Sequence, residues 1–192
     1  MWNEIIIKAG SIQNLTEARY FSSKLIELVG FNFDQASGNA IEPIQAQQII
    51  GWLEGPKIVA EFGTEPKSKI QEITTVLGIE TIKIPFARKA EFQDTSLHLI
   101  LQSDFSGLPK NIDAADLLQV KFNEDDLSNA DFSKLLQQNK VILETDWTED
   151  NLQEIQALQP YGINFNGSGE LKTGVQSFEE MDVLFELMED EF

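Results

Sequence analysis

Short apolar runs alternate with amphipathic stretches along the chain. The runs are rich in Ile, Val, Leu and Phe, which is typical of buried β-strands. They predict eight strands, over residues 4–9, 28–33, 57–62, 80–84, 96–102, 114–122, 140–144 and 162–165. Because most intervening segments are long enough for a helix, the pattern indicates repeated strand–helix units.

The segments between the runs carry signals for helix starts. Asn14, Thr148 and Ser177 are residue types that cap helix N-termini, and Pro43 and Pro66 suit a first helical turn. A further helix is predicted over 129–138 and a short polar one over 88–93. The link after the fifth run is different, since Gly107 and Pro109 break it and leave no room for a proper helix.

Eight strands alternating with about seven helices predict a parallel α/β protein. The number eight favours a closed (β/α)8 barrel, the TIM barrel, formed as a single domain over residues 1–192. We expect a compact barrel with a reduced or missing helix after strand five. A doubly wound open sheet is the alternative, but it usually carries a glycine-rich fingerprint after its first strand, and KAGSIQN has one glycine there.

Composition and charge argue against several classes of partner and site. The chain has 192 residues, 42% of them hydrophobic, and a formal net charge of −18, which disfavours nucleic acid and anionic membrane surfaces as partners. There is no cysteine and one histidine, His98, so neither a metal site nor a cofactor is predicted. The N-terminal apolar run is too short for a signal peptide or a membrane span, and a cytoplasmic monomer or homodimer is expected.

Four segments in order carry a family resemblance. They are PYGINFNGSGELKTGVQSFEEM (160–181), LVGFNFDQASGNAIEPIQAQQII (28–50), IIIKAGSIQNLTEARY (5–20) and TEDNLQEI (148–155). Together they resemble phosphoribosylanthranilate isomerase, the barrel enzyme of tryptophan biosynthesis. The resemblance implies the (β/α)8 fold and an Amadori rearrangement. That reaction needs a general acid and a general base, which in the family are an aspartate ending the sixth strand and a cysteine ending the first.

The chain departs from the family at both catalytic positions. In the strand-end motif IKAG the cysteine's place is assigned to Ala9, and in LLQVK the aspartate's place is assigned to Val120. Neither side chain can donate or accept a proton, and loss of one such group commonly costs about 10²–10⁴ in rate. The sequence therefore predicts an isomerase-like protein without isomerase activity, serving as a pseudoenzyme or in binding.

Other substrate-contacting positions differ as well. Asn39 stands where the resemblance implies an arginine, and Lys83 where it implies a glutamine. Glu144 replaces one of two paired glycines at the end of the seventh strand, and Asn164 replaces an aspartate on the eighth. An acid at the seventh strand would repel a phosphate. These four residues remain candidates for contacting some other ligand.

One half of a phosphate site remains recognisable after the eighth strand. It is the turn formed by Asn166, Gly167, Ser168 and Gly169. Backbone N–H groups in such a turn can surround an anion, so a small anionic or phosphorylated molecule near Gly167 is one hypothesis. The alternative is a glycine turn required only by the backbone conformation.

Three functions remain open, and whether the chain is an enzyme is undecided. The three hypotheses are an inactive isomerase homologue, a barrel enzyme of changed chemistry using strand-end carboxylates, and a divergent working isomerase. An acid–base pair of Glu144 with Lys83 would serve the second. A barrel mouth filled by Glu144 and Trp147 favours the first, and an open mouth with converging carboxylates favours the second.

Overall fold

Eight parallel strands form a closed barrel in the computed structural model, which describes residues 5–24, 26–113, 115–167 and 177–189. The strands are β1 (Ile6–Gly10), β2 (Leu28–Asn32), β3 (Lys57–Glu61), β4 (Thr81–Pro85), β5 (His98–Asp104), β6 (Leu117–Lys121), β7 (Lys140–Glu144) and β8 (Gly162–Asn166). Each strand pairs with the next, and β8 pairs with β1. The predicted (β/α)8 barrel is confirmed, and the open-sheet alternative is wrong.

Helices surround the barrel. They are α1 (Leu15–Ser23), α2 (Pro43–Ile50), α3 (Lys67–Leu77), α4 (Glu124–Leu127), α5 (Ala130–Gln138), α6 (Glu149–Leu158) and α7 (Glu179–Glu189), with a 3-10 helix over Phe86–Phe92. Within the described ranges, none of them combines the length and apolar character needed to cross a membrane.

Several helix starts follow the local sequence as predicted. The side chain of Asn14 accepts a hydrogen bond from the Glu17 amide at 2.9 Å, and Thr148 exchanges capping bonds with Asn151. Pro43 is the first residue of α2. The prediction that Pro85 lies beyond the fourth strand is wrong: it is the last residue of β4, where a missing N–H is tolerated.

The predicted absence of a helix after β5 is confirmed. In its described residues, 105–113 and 115–116, the connection to β6 holds only a 3-10 turn over Phe105–Gly107. Pro109 follows two residues later and cannot donate the N–H that a continuing helix would need. The barrel is therefore compact at this point, with a short loop in place of a helical layer.

Side chains of the strands alternate between the barrel interior and the helical layer, as the pleat requires. The lower interior layer is apolar and contains Leu28, Val59, Ile100 and Ile142, packed with Ile6, Leu117 and Tyr161. The larger core lies between the strands and the helices and includes the buried rings of Phe21, Phe165 and Phe185. The interior above the apolar layer is the part that differs from an ordinary core.

Candidate functional site in the barrel mouth

A layer of buried polar side chains lies directly above the apolar layer. Its members are Lys8, Glu61, Lys83, Gln119 and Asn164, all at most 8% exposed. On several strands the polar residue follows an inward-facing apolar one by two positions, as Lys8 follows Ile6. Because the strands are parallel, this places the polar layer near their carboxyl ends, the end at which barrels of this kind carry their sites.

Glu61 binds both lysines of this layer. Its Oε1 accepts a very short hydrogen bond from Lys8 Nζ and lies 3.4 Å from Lys83 Nζ. Its Oε2 accepts from the backbone N–H of Ser11 at 3.1 Å and from the Ser11 hydroxyl at 3.3 Å. Ser11 has a positive φ of 54°, a conformation that costs energy for a residue other than glycine. The loop after β1 is thus held in a strained shape that aims two donors at one carboxylate.

Amide side chains continue the network across the mouth. Lys8 Nζ donates to Asn164 Oδ1 at 2.9 Å, and Asn164 Nδ2 donates to Asn166 Oδ1 at 2.9 Å. Asn166 then donates to Glu144 at 3.0 Å, and Glu144 also accepts a short bond from Gln119. One continuous chain of contacts therefore links β4, β3, β1, β8, β7 and β6.

The charges within this network shift the pKa values of Glu61 and Lys8. Burial alone would raise the pKa of Glu61, but the positive charges of Lys8 and Lys83, with hydrogen bonds from Lys8 and Ser11, lower it from 4.5 to about 2. Burial is the largest influence on Lys8 and lowers its pKa. Lys83 acts in the same direction, against the attraction of Glu61.

We expect Glu61 to add an acid-sensitive component to stability. Because its pKa is depressed in the folded state, its contribution is fully present above about pH 4.5 and is lost as the pH falls towards about 2. The difference in unfolding free energy between the wild type and Glu61→Gln should shrink by about 3 kcal/mol over that range. Urea unfolding at a series of pH values measures it, and a constant difference would contradict the assignment.

Gly10 and Gly30 have no side chain, and the end of the Lys8 side chain lies in the space that this provides. A Cβ built on Gly30 would lie 2.3 Å from Glu61 Oε1 and 3.0 Å from Lys8 Nζ. A Cβ on Gly10 would lie 2.9 Å from Lys8 Nζ and 2.8 Å from Asn166 Oδ1. A side chain at either position would displace the network, so the two glycines and the buried lysine depend on one another.

The mouth of the barrel is open. A cavity of about 910 Å³ lies above the network, and Lys83, Glu61, Glu144 and Asn166 are part of its lining. Phe86 also lines it. Trp147 does not: its indole N–H donates to the Asn164 carbonyl at 2.7 Å, and its ring packs against other aromatic rings. Among the described residues, Glu144 therefore lines the cavity and Trp147 does not fill the mouth.

The side chains of Ala9 and Val120, the residues assigned to the family's catalytic positions, do not face the barrel interior. Both side chains are fully buried in the outer core, facing the helices. Strand alternation sends their neighbours into the barrel instead: Gly10 faces the network, and Gln119 donates to Glu144. A residue that acts on a ligand in the mouth must face inward, so Gly10 and Gln119 are the relevant positions.

The hypothesised pair of Glu144 with Lys83 does not form. Lys83 contacts Glu61, while Glu144 accepts from Gln119 and Asn166. The lysine and the carboxylate that line the cavity thus belong to opposite ends of one network. Among the described residues lining the cavity, the direct contact between a lysine and a carboxylate is the one between Lys83 and Glu61.

Asn39 lies at the rim of the same cavity. Its Oδ1 accepts from Asn32 Nδ2 and, at 2.7 Å, from the Ser37 hydroxyl. Asn32 is the last residue of β2 and is buried, so the loop that carries Asn39 is anchored to the barrel. The position predicted to contact a ligand is therefore oriented by its own loop.

The turn after β8 is described only as far as Gly167, and Ser168 and Gly169 lie outside the described residues. The N–H of Gly167 donates to the Gly10 carbonyl at 2.8 Å and so is already used. A Cβ on Gly167 would lie 2.8 Å from the carboxylate of Glu17, which is fully buried. A carboxylate this close opposes an anion at Gly167 itself.

Sequence reasoning missed Lys8 and Gln119 as site residues. The available signal was the period of two along the strands. In IIIKAG, LLQVK and KVILE one polar residue follows an inward apolar residue at that spacing, which is unusual for strands buried on both faces. Among the described residues, no group of three or more His, Asp or Glu side chains is placed to hold a metal ion.

Comparison with solved structures identifies the fold. Phosphoribosylanthranilate isomerase from Thermus thermophilus superposes with a TM-score of 0.79 at 21% sequence identity, covering 98% of this chain and 100% of that one. The chain has the fold of the phosphoribosylanthranilate isomerases. The enzyme from Thermotoga maritima gives a TM-score of 0.74 at 16% identity, over 97% of this chain and 99% of its own. No protein-family model and no curated protein sequence matches this chain.

A barrel with another activity is also similar. The 3-hexulose-6-phosphate synthase from Salmonella typhimurium gives a TM-score of 0.61 at 8% identity, covering 98% of this chain and 100% of that one. At such identities the likeness concerns the fold, and function has to be argued from the residues of the mouth.

Proposed function

We propose that this chain is an isomerase-like barrel that binds a small polar molecule in its mouth and does not carry out the phosphoribosylanthranilate isomerase reaction. The observation that carries the proposal is the identity of two inward-facing positions, Gly10 at the end of β1 and Gln119 in the middle of β6. They are inward-facing neighbours of Ala9 and Val120, the positions to which the resemblance assigns the cysteine and the aspartate. Neither Gly10 nor Gln119 can act as a general acid or base.

The surroundings of Gly167 support the same conclusion. One solved isomerase-fold structure is a complex with reduced 1-(o-carboxyphenylamino)-1-deoxyribulose 5-phosphate, a phosphorylated ligand. In this chain Glu17 lies against Gly167, and Glu144 faces the mouth from β7. Two carboxylates would weaken the binding of a phosphate.

The open cavity favours binding over a purely structural role. Its volume of about 910 Å³ is in the range of small-molecule sites. The lining offers amides, hydroxyl groups, a lysine and carboxylates, so it can hydrogen-bond a polar ligand from several strands. This arrangement also supports a second candidate, a barrel enzyme of changed chemistry.

We expect no measurable isomerisation of phosphoribosylanthranilate by the purified chain, because neither Gly10 nor Gln119 can transfer a proton. The decrease of anthranilate-type fluorescence in a continuous assay measures the reaction, and the Thermus thermophilus enzyme serves as the positive control. Rescue of a tryptophan auxotroph lacking its isomerase, or turnover above the uncatalysed rate, would overturn the proposal. The restoring variant to compare is Gly10→Cys with Gln119→Asp, while Ala9→Cys with Val120→Asp is the matched control that faces the helices.

A further inference from the structure

The lysine that lines the barrel mouth has a distinctive position. Lys83 lies near the end of β4, faces inward, and its side chain is 9% exposed. Among the described residues lining the cavity it is the only lysine. Its amine is thus enclosed by protein yet reachable by a molecule in the cavity.

Few contacts restrain this amine. Nζ of Lys83 lies 3.4 Å from Glu61 Oε1, and no group within the described ranges makes a hydrogen bond to it. The oxygen it approaches already accepts the very short hydrogen bond from Lys8. Lys83 is therefore the second and more distant cation at one carboxylate oxygen, and its side chain lines the cavity.

A second cation lies beside the Lys83 amine. Nζ of Lys8 and Nζ of Lys83 both contact Oε1 of Glu61. A lysine next to another cationic group is a recognised form of activated nucleophile. Lys8 is fully buried, so Lys83 is the amine that a ligand can reach.

We propose that Lys83 is a nucleophile that captures small aldehydes or ketones in the barrel mouth as an imine. The inference rests on the proposed small-molecule site. The nitrogen lone pair of unprotonated Lys83 forms a bond to the carbonyl carbon, and the first of the two amine protons moves to the carbonyl oxygen to give a carbinolamine. The C–O bond then breaks, the oxygen leaves as water with the second amine proton, and a C=N bond remains. No oxidant, reductant or further reactant is needed.

Glu61 suits the product of this step. The imine takes up a proton to become a cationic iminium, and the carboxylate 3.4 Å from Nζ stabilises that charge. Ser11 fixes the carboxylate from the other side through two hydrogen bonds, so it does not have to reorient during the reaction. Glu61 thus holds the same position before and after capture.

The lining indicates the class of carbonyl compound. Amide and hydroxyl groups of Asn39, Gln102, Ser103 and Asn166 can bind hydroxyl groups of a ligand. Asp104 and Glu144 add negative charge to the same cavity. A neutral hydroxyaldehyde or hydroxyketone therefore fits better than a phosphorylated one.

Reductive trapping tests the inference. The folded protein is incubated at neutral pH with glyceraldehyde and cyanoborohydride, and labelled peptides are quantified by mass spectrometry. We expect Lys83 to be modified about ten-fold faster than the exposed Lys69, because the polar lining of the cavity holds the aldehyde beside the Lys83 amine. Glyceraldehyde 3-phosphate should label Lys83 more slowly than glyceraldehyde does.

Two variants distinguish a selective reaction at Lys83 from the general reactivity of surface lysines. Lys83→Arg keeps the charge beside Glu61 but cannot form the imine, and it should lose the fast labelling phase. Lys69→Arg should retain that phase. Labelling of Lys83 in the wild type no faster than that of Lys69 would overturn the inference, and this peptide comparison needs no variant to fold. Such a result in a protein that also fails to isomerise phosphoribosylanthranilate overturns imine capture alone, whereas isomerase turnover overturns the proposed function as well.

Discussion

Replacing Glu61 by glutamine should lower the free energy of unfolding by about 3–5 kcal/mol. The substitution leaves Lys8 and Lys83 as two buried cations without the carboxylate that both contact. Breaking a buried ion pair by removing one partner is costly because the remaining charge has lost its solvation and its partner. Urea unfolding followed by circular dichroism at pH 7 measures the change.

Lys8→Met should cost less than Glu61→Gln. It leaves Glu61 with Lys83 and with both hydrogen bonds from Ser11, and it removes the ammonium group whose burial is most unfavourable. The matched control is Glu72→Gln, which breaks an exposed ion pair with Lys69 and should change stability by no more than about 0.5 kcal/mol. Equal effects of Glu61→Gln and Glu72→Gln would contradict the role given to Glu61.

Gly30→Ala should destabilise the protein by about 2–4 kcal/mol, because the new methyl group occupies the space of the Lys8–Glu61 contact. Since about 1 kcal/mol corresponds to 2–4 °C in a protein of this size, the melting temperature should fall by roughly 5–15 °C. Thermal unfolding followed by circular dichroism measures the shift. The glycine is required here by a close approach of side chains.

Gly51→Ala is the control for the glycine prediction. Gly51 has an ordinary helical φ of −62°, and a Cβ there would meet nothing nearer than 3.6 Å. Alanine should therefore leave stability within about 1 kcal/mol of the wild type, with a small gain favoured. If Gly30→Ala and Gly51→Ala melt at the same temperature, the buried network does not need the space at Gly30.

The buried network also opposes the introduction of the family's catalytic cysteine at position 10. A cysteine at position 10 would place its Cβ within 3 Å of atoms of Lys8, Asn164 and Asn166. The polar chain across the mouth therefore excludes the side chain that the family's chemistry would need.

The class of fold follows from the sequence, because it depends on local patterns. Eight apolar runs, the caps at Asn14 and Thr148, and the broken link at Gly107 act over a few residues each, and all three reappear in the structure. The closed barrel follows from their number and order. The seventh strand, 140–144, has the predicted limits, whereas the fifth is displaced by two residues at each end.

Which residues form the candidate site depends on the tertiary structure. Whether Ala9 or Gly10 faces the mouth depends on strand register, and a difference of one residue reverses the side. Lys8 and Glu61 are 53 residues apart, and no local pattern pairs them. The sequence by itself determined a barrel of strand–helix units. Only the closure of the barrel brought two lysines to one carboxylate, because each comes from a different strand.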